Sequence, residues 1–322
     1  MGSASRSRSE SRARPTAGGS PAPLDATDSA PVVPMSRSDE PLQPQDLVIT
    51  LFGAFAASKH ERIWSGGLVE LLNEMGFSEG ASRIALGRLV NRGLLQRVKE
   101  GRLVYYTSSP RLDRLLVEGD RRIFRLGWAV EGWDGCWTML WHAIPETRRV
   151  ERARLARRLR FLGFGSVQDG TWVSPHNREE DVIKLLNENR VEEYAGVLIG
   201  RPAMQLDLRA MIARAWDLEG LASRYESFVE TFSQYRSRRA QRLLSEREAF
   251  FVRTSVVHAF RRFPAVDPDL PEELMVRKVP RQEAATIFHE VYDGLEPPAQ
   301  DYFDAHVLQR DAPTAIADPS LA

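Results

Sequence analysis

The stretch Ser78–Tyr106 constrains the fold of this chain more than any other, because a helix, a stop and a hairpin follow one another in it. Ser78 has the side chain of a helix cap, and the helical pattern that it opens runs to Asn91 or Arg92. Gly93 comes next, where glycine often ends a helix because it takes positive φ without strain. The inner side of this helix is apolar apart from one small polar residue, and it consists of Ser82, Ala85, Leu86 and Leu89.

A hairpin and two earlier helices complete a small domain. The runs Leu95–Lys99 and Leu103–Thr107 predict two short strands, joined by a charged turn that contains a glycine. Upstream, Gln45–Ser58 and Gly67–Met75 have apolar residues at helical spacing. This order predicts a winged helix–turn–helix over residues 44–108, in which the third helix enters the major groove of DNA.

Positive charge is concentrated around this domain, although the whole chain has 44 Lys and Arg against 44 Asp and Glu. Residues 81–122 contain ten Lys or Arg and four Asp or Glu, a local excess of six positive charges. Such a basic face suits DNA, and the alternative is a solvated face on an oligomerisation module. The residues predicted to contact DNA are Ser82, Arg83, Ile84, Gly87, Arg88, Asn91, Arg92, Lys99, Arg102, Tyr105 and Tyr106.

Several of these residues have two candidate roles. Arg83 and Arg88 can each fork onto a guanine edge, which reads sequence, or grip phosphate, which adds affinity alone. Asn91 either reads adenine or caps the end of its helix. Tyr105 and Tyr106 alternate along a strand, so that one packs inward and the other is free to reach the DNA backbone.

A second domain follows the linker 109–129. Between residues 130 and 200 the pattern runs strand, helix, strand, strand, helix, strand, which is the order of a ferredoxin-like domain. The first predicted element, Trp133–Ile144, opens with a turn and continues as a strand. The others are Arg148–Leu162, Gly165–Val167, Thr171–Ser174, Arg178–Glu188 and Ala195–Ile199.

Helical patterns fill the rest of the chain, so the predicted fold class is α+β with several domains. Residues 201–308 are expected to form a C-terminal helical domain, in which Pro280–Tyr292 is the last clear helix. The helices predicted before it are Leu208–Ala215, Leu221–Tyr235 and Arg242–Phe263. Residues 1–43, rich in Ser, Pro, Ala and Arg, are expected to be disordered, and residues 309–322 to form a flexible tail.

Composition restricts the compartment and the chemistry. Cys136 is the one cysteine in the sequence, so neither a disulfide within the chain nor a cysteine-rich metal site can form. No run approaches the roughly 18 apolar residues of a membrane span, and no apolar signal-peptide segment follows the first charges. We therefore expect a cytoplasmic protein with no membrane partner and no bound metal.

Six runs, taken in order, give the chain a resemblance to a known family. They are LVITLFGAF (Leu47–Phe55), RIALGRLVNRGLLQRVKEGRLVYY (Arg83–Tyr106), WDGCWTML (Trp133–Leu140), LRFLGFGSVQDGTWVSP (Leu159–Pro175), WDLEGLASRYESF (Trp216–Phe228) and HAFRRFPAVDPDLPEEL (His258–Leu274). In order and spacing they resemble the PaaX family, repressors of phenylacetic acid degradation, over nearly all of residues 45–293. The resemblance implies a winged helix, a central ferredoxin-like domain similar to Cas2 proteins and a helical C-terminal domain.

The resemblance also implies what the protein binds. It implies a homodimer on a palindromic double-stranded operator of an aromatic-acid catabolic operon, no cofactor, and release by an aryl-acyl-CoA thioester such as phenylacetyl-CoA. Arginine forks suit the phosphates of CoA and aromatic side chains suit the aryl ring. The candidate effector-binding residues are Arg157, Arg158, Trp172, His258, Arg261 and Arg262.

Each effector candidate has a structural alternative. The helix Arg148–Leu162 carries seven arginines. Three roles are open for them: binding the nucleotide end of the effector, extending the DNA footprint, or forming a solvated face. Trp172 either stacks on the aryl ring or packs in the core. Arg262 and Asp267 either line the effector site or form a salt bridge that pins the proline-rich loop.

An enzyme is the alternative function, because a Cas2-like domain also suits a metal-dependent nucleic-acid-processing enzyme. Asp134 lies just before the first strand of that domain, where a metal ligand would be expected. A single carboxylate makes a poor metal site, because hard cations need several oxygen ligands. The other carboxylates, such as Glu146, Asp169 and Asp181, are scattered, so we predict no catalytic residue.

Overall fold

The computed structural model describes residues 42–56, 60, 62–127, 133–203, 207–275 and 278–308. Apart from residues 42 and 43, the predicted disordered segment 1–43 lies outside the described residues, and so does the whole predicted tail 309–322.

The N-terminal group of elements has the predicted order of a winged helix. It consists of α1 (Pro44–Leu51), β1 (Ile63–Trp64), α2 (Ser65–Glu74), α3 (Glu79–Asn91), β2 (Leu95–Glu100) and β3 (Leu103–Ser108). Ser78 caps α3, since its side chain accepts a hydrogen bond from the backbone N–H of Ala81, and Gly93 follows the helix with a φ of 65°. The strand β1 was not predicted, because two residues are too few to show alternation. It makes β3 the central strand of an antiparallel sheet in the order β1-β3-β2.

The first helix differs from the prediction. It was expected to run to Ser58, but α1 ends at Leu51 and continues as a wider π-helical turn, Phe52–Ala56. This turn leaves backbone carbonyls for partners elsewhere: Arg253 Nη1 donates to the Ala54 carbonyl at 2.9 Å, and Gln300 Nε2 donates to the Phe55 carbonyl at 3.2 Å. The helix geometry is therefore stabilised by residues about 200 or more positions away in the chain.

The central group confirms the predicted ferredoxin-like order. After the linking helix α4 (Pro110–Ile123) it contains β4 (Trp137–His142), α5 (Arg149–Phe161), β5 (Gly165–Gln168), β6 (Thr171–Ser174), α6 (Glu179–Asn189) and β7 (Ala195–Gly200). The four strands form one sheet in the order β5-β6-β4-β7. Helices α5 and α6 cover one face, where Leu140 and Trp172 are buried with Leu155 and Val182.

The C-terminal group is helical. It consists of α7 (Leu208–Ala215), α8 (Leu218–Phe232), α9 (Arg238–Gln241), α10 (Glu246–Phe260), α11 (Arg281–Gly294) and α12 (Glu296–Val307). The predicted helix Arg242–Phe263 instead begins at Glu246, because Ser245 and Glu248 form a capping box there. The sequence analysis missed α12, whose Pro297 and Pro298 resemble a break but occupy its first turn, where proline is tolerated.

One hydrophobic core joins the N-terminal and C-terminal groups. It contains Leu47 from α1 and Leu68 from α2 together with Phe250 from α10 and Phe303 from α12, all of them essentially inaccessible. Helix α12 lies so close to α2 that a Cβ on Gly67 would overlap the backbone carbonyl of His306. The N-terminal elements are thus built onto the C-terminal helices and share their core.

Candidate nucleic-acid interface

The outward face of α3 is exposed and basic. Arg83, Arg88, Asn91 and Arg92 are exposed on it, and Ile84 is 57% exposed. Arginine, asparagine and a bare aliphatic group are the side chains that read guanine, adenine and the thymine methyl group in a major groove. This face can therefore both attract a phosphate backbone and discriminate between bases.

Three predicted DNA-contact residues lie in the interior instead. Ser82 is fully buried, and its hydroxyl donates to the Ser78 carbonyl at 3.1 Å, so it cannot reach DNA. Tyr105 and Tyr106 are each only 9% exposed, although they alternate along β3. The expectation that one tyrosine packs and the other is free is therefore replaced by two packed rings, with the guanidinium of Arg62 4.7 Å from the centre of the Tyr105 ring.

The tip of the hairpin carries charge of both signs. Lys99 and Arg102 are exposed there, as a phosphate contact requires. Glu100, between them, forms an ion pair with Arg62. Arg62 was not predicted as part of the site, because it reaches the hairpin from the segment before β1. By neutralising Glu100 it leaves the tip with a net positive charge.

Arg83 and Arg88 on the α3 face are held differently. Arg83 donates from Nε and Nη2 to the same oxygen of Glu79, at 2.9 and 2.6 Å. Both side chains are more than half exposed, so this helical pair contributes at most about 0.5 kcal/mol. Arg88 forms no ion pair with the described residues, and its guanidinium is available without breaking an internal contact.

A notch of about 360 Å³ lies between α3 and the hairpin. Its lining residues are Arg83, Gly87, Val90, Asn91, Arg97 and Tyr106. Arg97 on β2 lies directly across from Tyr106 on β3. Arg97 was not predicted as a DNA-contact residue. It lies two positions from Lys99 on β2, however, so both side chains are on the same side of the strand.

The effector candidates of the central domain lie on α5 and on β6. Arg157 on α5 is exposed and Arg158 is half-buried. Trp172 is 5% exposed in the core under α5 and α6, with the guanidinium of Arg160 5.2 Å from the centre of its ring. Of the two roles that the sequence allowed for Trp172, stacking on an aryl ring or packing in the core, the structure shows core packing.

His258 and Arg261 lie where α10 meets α1. His258 Nδ1 is 2.9 Å from the hydroxyl of Thr50, and Arg261 Nη1 donates to the same hydroxyl at 2.6 Å and to the Asp46 carbonyl at 3.1 Å. Burial, followed by the charges of Arg261 and Arg262, lowers the pKa of His258 to about 3. A neutral imidazole and a guanidinium engaged with α1 are poor phosphate ligands, so these residues join the two domains instead.

Asp267 in the proline-rich loop forms a buried salt bridge with Arg281. Asp267 is bound by Arg281, which donates from Nε and Nη2 to the two carboxylate oxygens at 2.7 Å each. The hydroxyl of Tyr225 donates to the same carboxylate at 2.6 Å. Asp267 is therefore a structural residue, with Arg281 and Tyr225 as its partners, and its pairing with Arg262 stays a prediction.

Asp134 has a local structural role. Its carboxylate accepts the backbone N–H of Cys136 at 2.8 Å, and its carbonyl accepts a hydrogen bond from Arg201 at 2.8 Å. Among the described residues no three His, Cys, Asp or Glu side chains come together as metal ligands. In the same part of the chain no helix is long and apolar enough to cross a membrane.

Comparisons with known proteins match almost the whole of the described chain. Residues 43–112 match the family model of PaaX-like proteins, residues 130–212 that of the PaaX protein central Cas2-like domain, and residues 216–305 that of the PaaX-like protein C-terminal domain. The transcriptional repressor PaaX of Escherichia coli strain K12 is 29% identical over 268 residues, which are 80% of this chain and 82% of that protein. Among solved structures, the uncharacterized protein Rv0674 from Mycobacterium tuberculosis matches 82% of this chain and 98% of its own, with 21% identity and a TM-score of 0.49.

Proposed function

The chain belongs to the PaaX family, and from this premise we propose that it is a transcriptional repressor of an aromatic-acid catabolic operon. As a homodimer it binds a palindromic double-stranded operator, placing α3 of each subunit in the major groove and the hairpin tip on the backbone. The observation that carries this proposal is the α3 face, where Arg83, Ile84, Arg88 and Asn91 are exposed side by side. The E. coli relative is named a repressor, so an enzyme acting through Asp134 is not our proposal.

We expect Arg88→Ala to weaken operator binding more than Arg83→Ala. Arg88 is available to fork onto a guanine, a contact that contributes about 1–3 kcal/mol of discrimination, whereas Arg83 must first leave Glu79. The measurement is a titration of the full chain with a duplex that the wild-type protein has selected from a random library. Arg209→Ala, which removes an exposed arginine from α7, is the matched control and should bind like the wild type. Unchanged binding by both α3 variants would show that α3 does not read DNA.

The effector acts, in our proposal, outside the DNA-contact face. An aryl-acyl-CoA such as phenylacetyl-CoA binds in the central or C-terminal domain and favours a dimer state in which the two α3 helices no longer match the half-sites. Release requires that the ligand bind this state more tightly than the DNA-bound state. The junction of α10 with α1, formed by His258, Arg261 and Thr50, is suited to transmit such a change because it ties the winged helix to the C-terminal helices.

We expect phenylacetyl-CoA to release the full chain from the selected duplex, while coenzyme A and phenylacetate alone do not. The thioester carries both the aryl ring and the CoA phosphates. Coenzyme A or phenylacetate alone makes only part of these contacts, so each favours the released state of the dimer over the DNA-bound state by a smaller free energy. Fluorescence anisotropy of a labelled duplex gives the bound fraction. The full chain is needed because removing the winged helix would expose the shared core. Equal release by free phenylacetate would contradict a thioester-specific effector.

A further inference from the structure

The notch between α3 and the hairpin has features that base reading alone does not explain. Two arginines line it from different elements, Arg83 from α3 and Arg97 from β2, together with Asn91. Arg83 is held at the rim by Glu79, through two hydrogen bonds to one oxygen. The volume of about 360 Å³ is larger than the space between two packed side chains and is open to solvent.

Gly87 forms part of the notch on the helix side. A Cβ at this position would have no heavy atom within 4 Å, so packing within the protein does not require glycine there. Glycine inside a helix costs about 1 kcal/mol relative to alanine. Packing among the described residues does not explain this glycine, and its missing side chain leaves the helix side of the notch open to a partner.

Resting on the proposed function, we infer that this notch is a binding site for one phosphodiester group of the operator backbone. Arg83 and Arg97 bind its non-bridging oxygens, Asn91 donates from its side, and bare Gly87 admits the sugar. Paired guanidinium forks suit a phosphate because their N–H groups match its geometry. The site contributes affinity and fixes the register of α3 but reads no sequence, in contrast to Arg88.

Arg97→Ala tests the charge of the site. Affinity of the full chain for the selected duplex and for a scrambled duplex of equal length is measured at several salt concentrations. The variant should weaken both duplexes by the same factor and flatten the slope of log K against log salt by about 0.9, the value for one lost phosphate contact. An unchanged slope would overturn the assignment.

Gly87→Leu tests whether the notch needs the open space beside Gly87. Gly119→Leu in α4 is the matched control, because no heavy atom lies within 4 Å of a Cβ at either position. Leucine favours helices, so both variants should keep or raise the melting temperature, by roughly 2 °C. Only Gly87→Leu should lose binding, at least tenfold on both duplexes. The phosphodiester site would be overturned if Gly87→Leu bound DNA with wild-type affinity or had a lower melting temperature. It would also be overturned if this variant lost binding to the selected duplex alone, because that loss would indicate a contact with a base edge. Failure of the wild type to bind either duplex would instead overturn the proposed function.

Discussion

Asp267→Asn is expected to lower the free energy of unfolding by about 3–5 kcal/mol, the usual cost of removing one partner from a buried ion pair. The side chain of Asp267 is 0% exposed and that of Arg281 is 16% exposed. Asparagine keeps the shape of the side chain, so the loss reflects the uncompensated guanidinium and the weaker acceptor for Tyr225, not a cavity. Urea denaturation of the full chain measures the change.

Asp269→Asn provides the control on the same loop. Asp269 is 3.5 Å from Arg281, but its side chain is 48% exposed, so its ion pair is screened by water. Its φ is 54°, a region that asparagine tolerates. We expect a change below about 1 kcal/mol. Equal effects of the two variants would contradict the assignment of Asp267 as the buried anchor.

Arg253→Leu is expected to cost about 2–5 kcal/mol, because it leaves two partly buried carbonyl groups without their donor. Arg253 is 2% exposed, and it donates from Nε to the Tyr292 carbonyl at 3.0 Å and from Nη1 to the Ala54 carbonyl at 2.9 Å. Its guanidinium also lies 4.0 Å from the centre of the Tyr292 ring. The variant should therefore loosen both the π-helical turn after α1 and the contact of α10 with α11. Urea denaturation again reports the change.

Arg247→Leu is the matched control, because it removes another arginine from the same helix. Arg247 pairs with Glu74 at 2.8 Å and lies 4.8 Å from the ring centre of Phe251, but its side chain is 46% exposed. An exposed pair of this kind contributes about 1 kcal/mol or less. A loss for Arg247→Leu as large as for Arg253→Leu would mean that burial does not determine the cost.

Local physics made much of the fold predictable. The cap at Ser78, the glycine after α3 and the periodicity of the α3 core face each depend on neighbours within a few residues, so the sequence located this helix and its basic outer face. The alternation of strands and helices in the central domain is equally local, and it predicted the ferredoxin-like order. By itself, the sequence determined which elements form and which charges stand on the outer face of α3.

Only the tertiary structure decided which residues meet. Strand β1 pairs with β3 from outside the hairpin, and Tyr105 and Tyr106 are both buried although they alternate along β3. The sequence did not show that Arg281 binds Asp267, or that His258 and Arg261 bind α1, because contacts between distant segments leave no periodic signal in the chain. The notch that contains Arg97 likewise exists only where α3 faces the hairpin. Propensity and capping act over one or two helical turns, whereas the shape of a site and the partner of a buried charge depend on how whole elements pack.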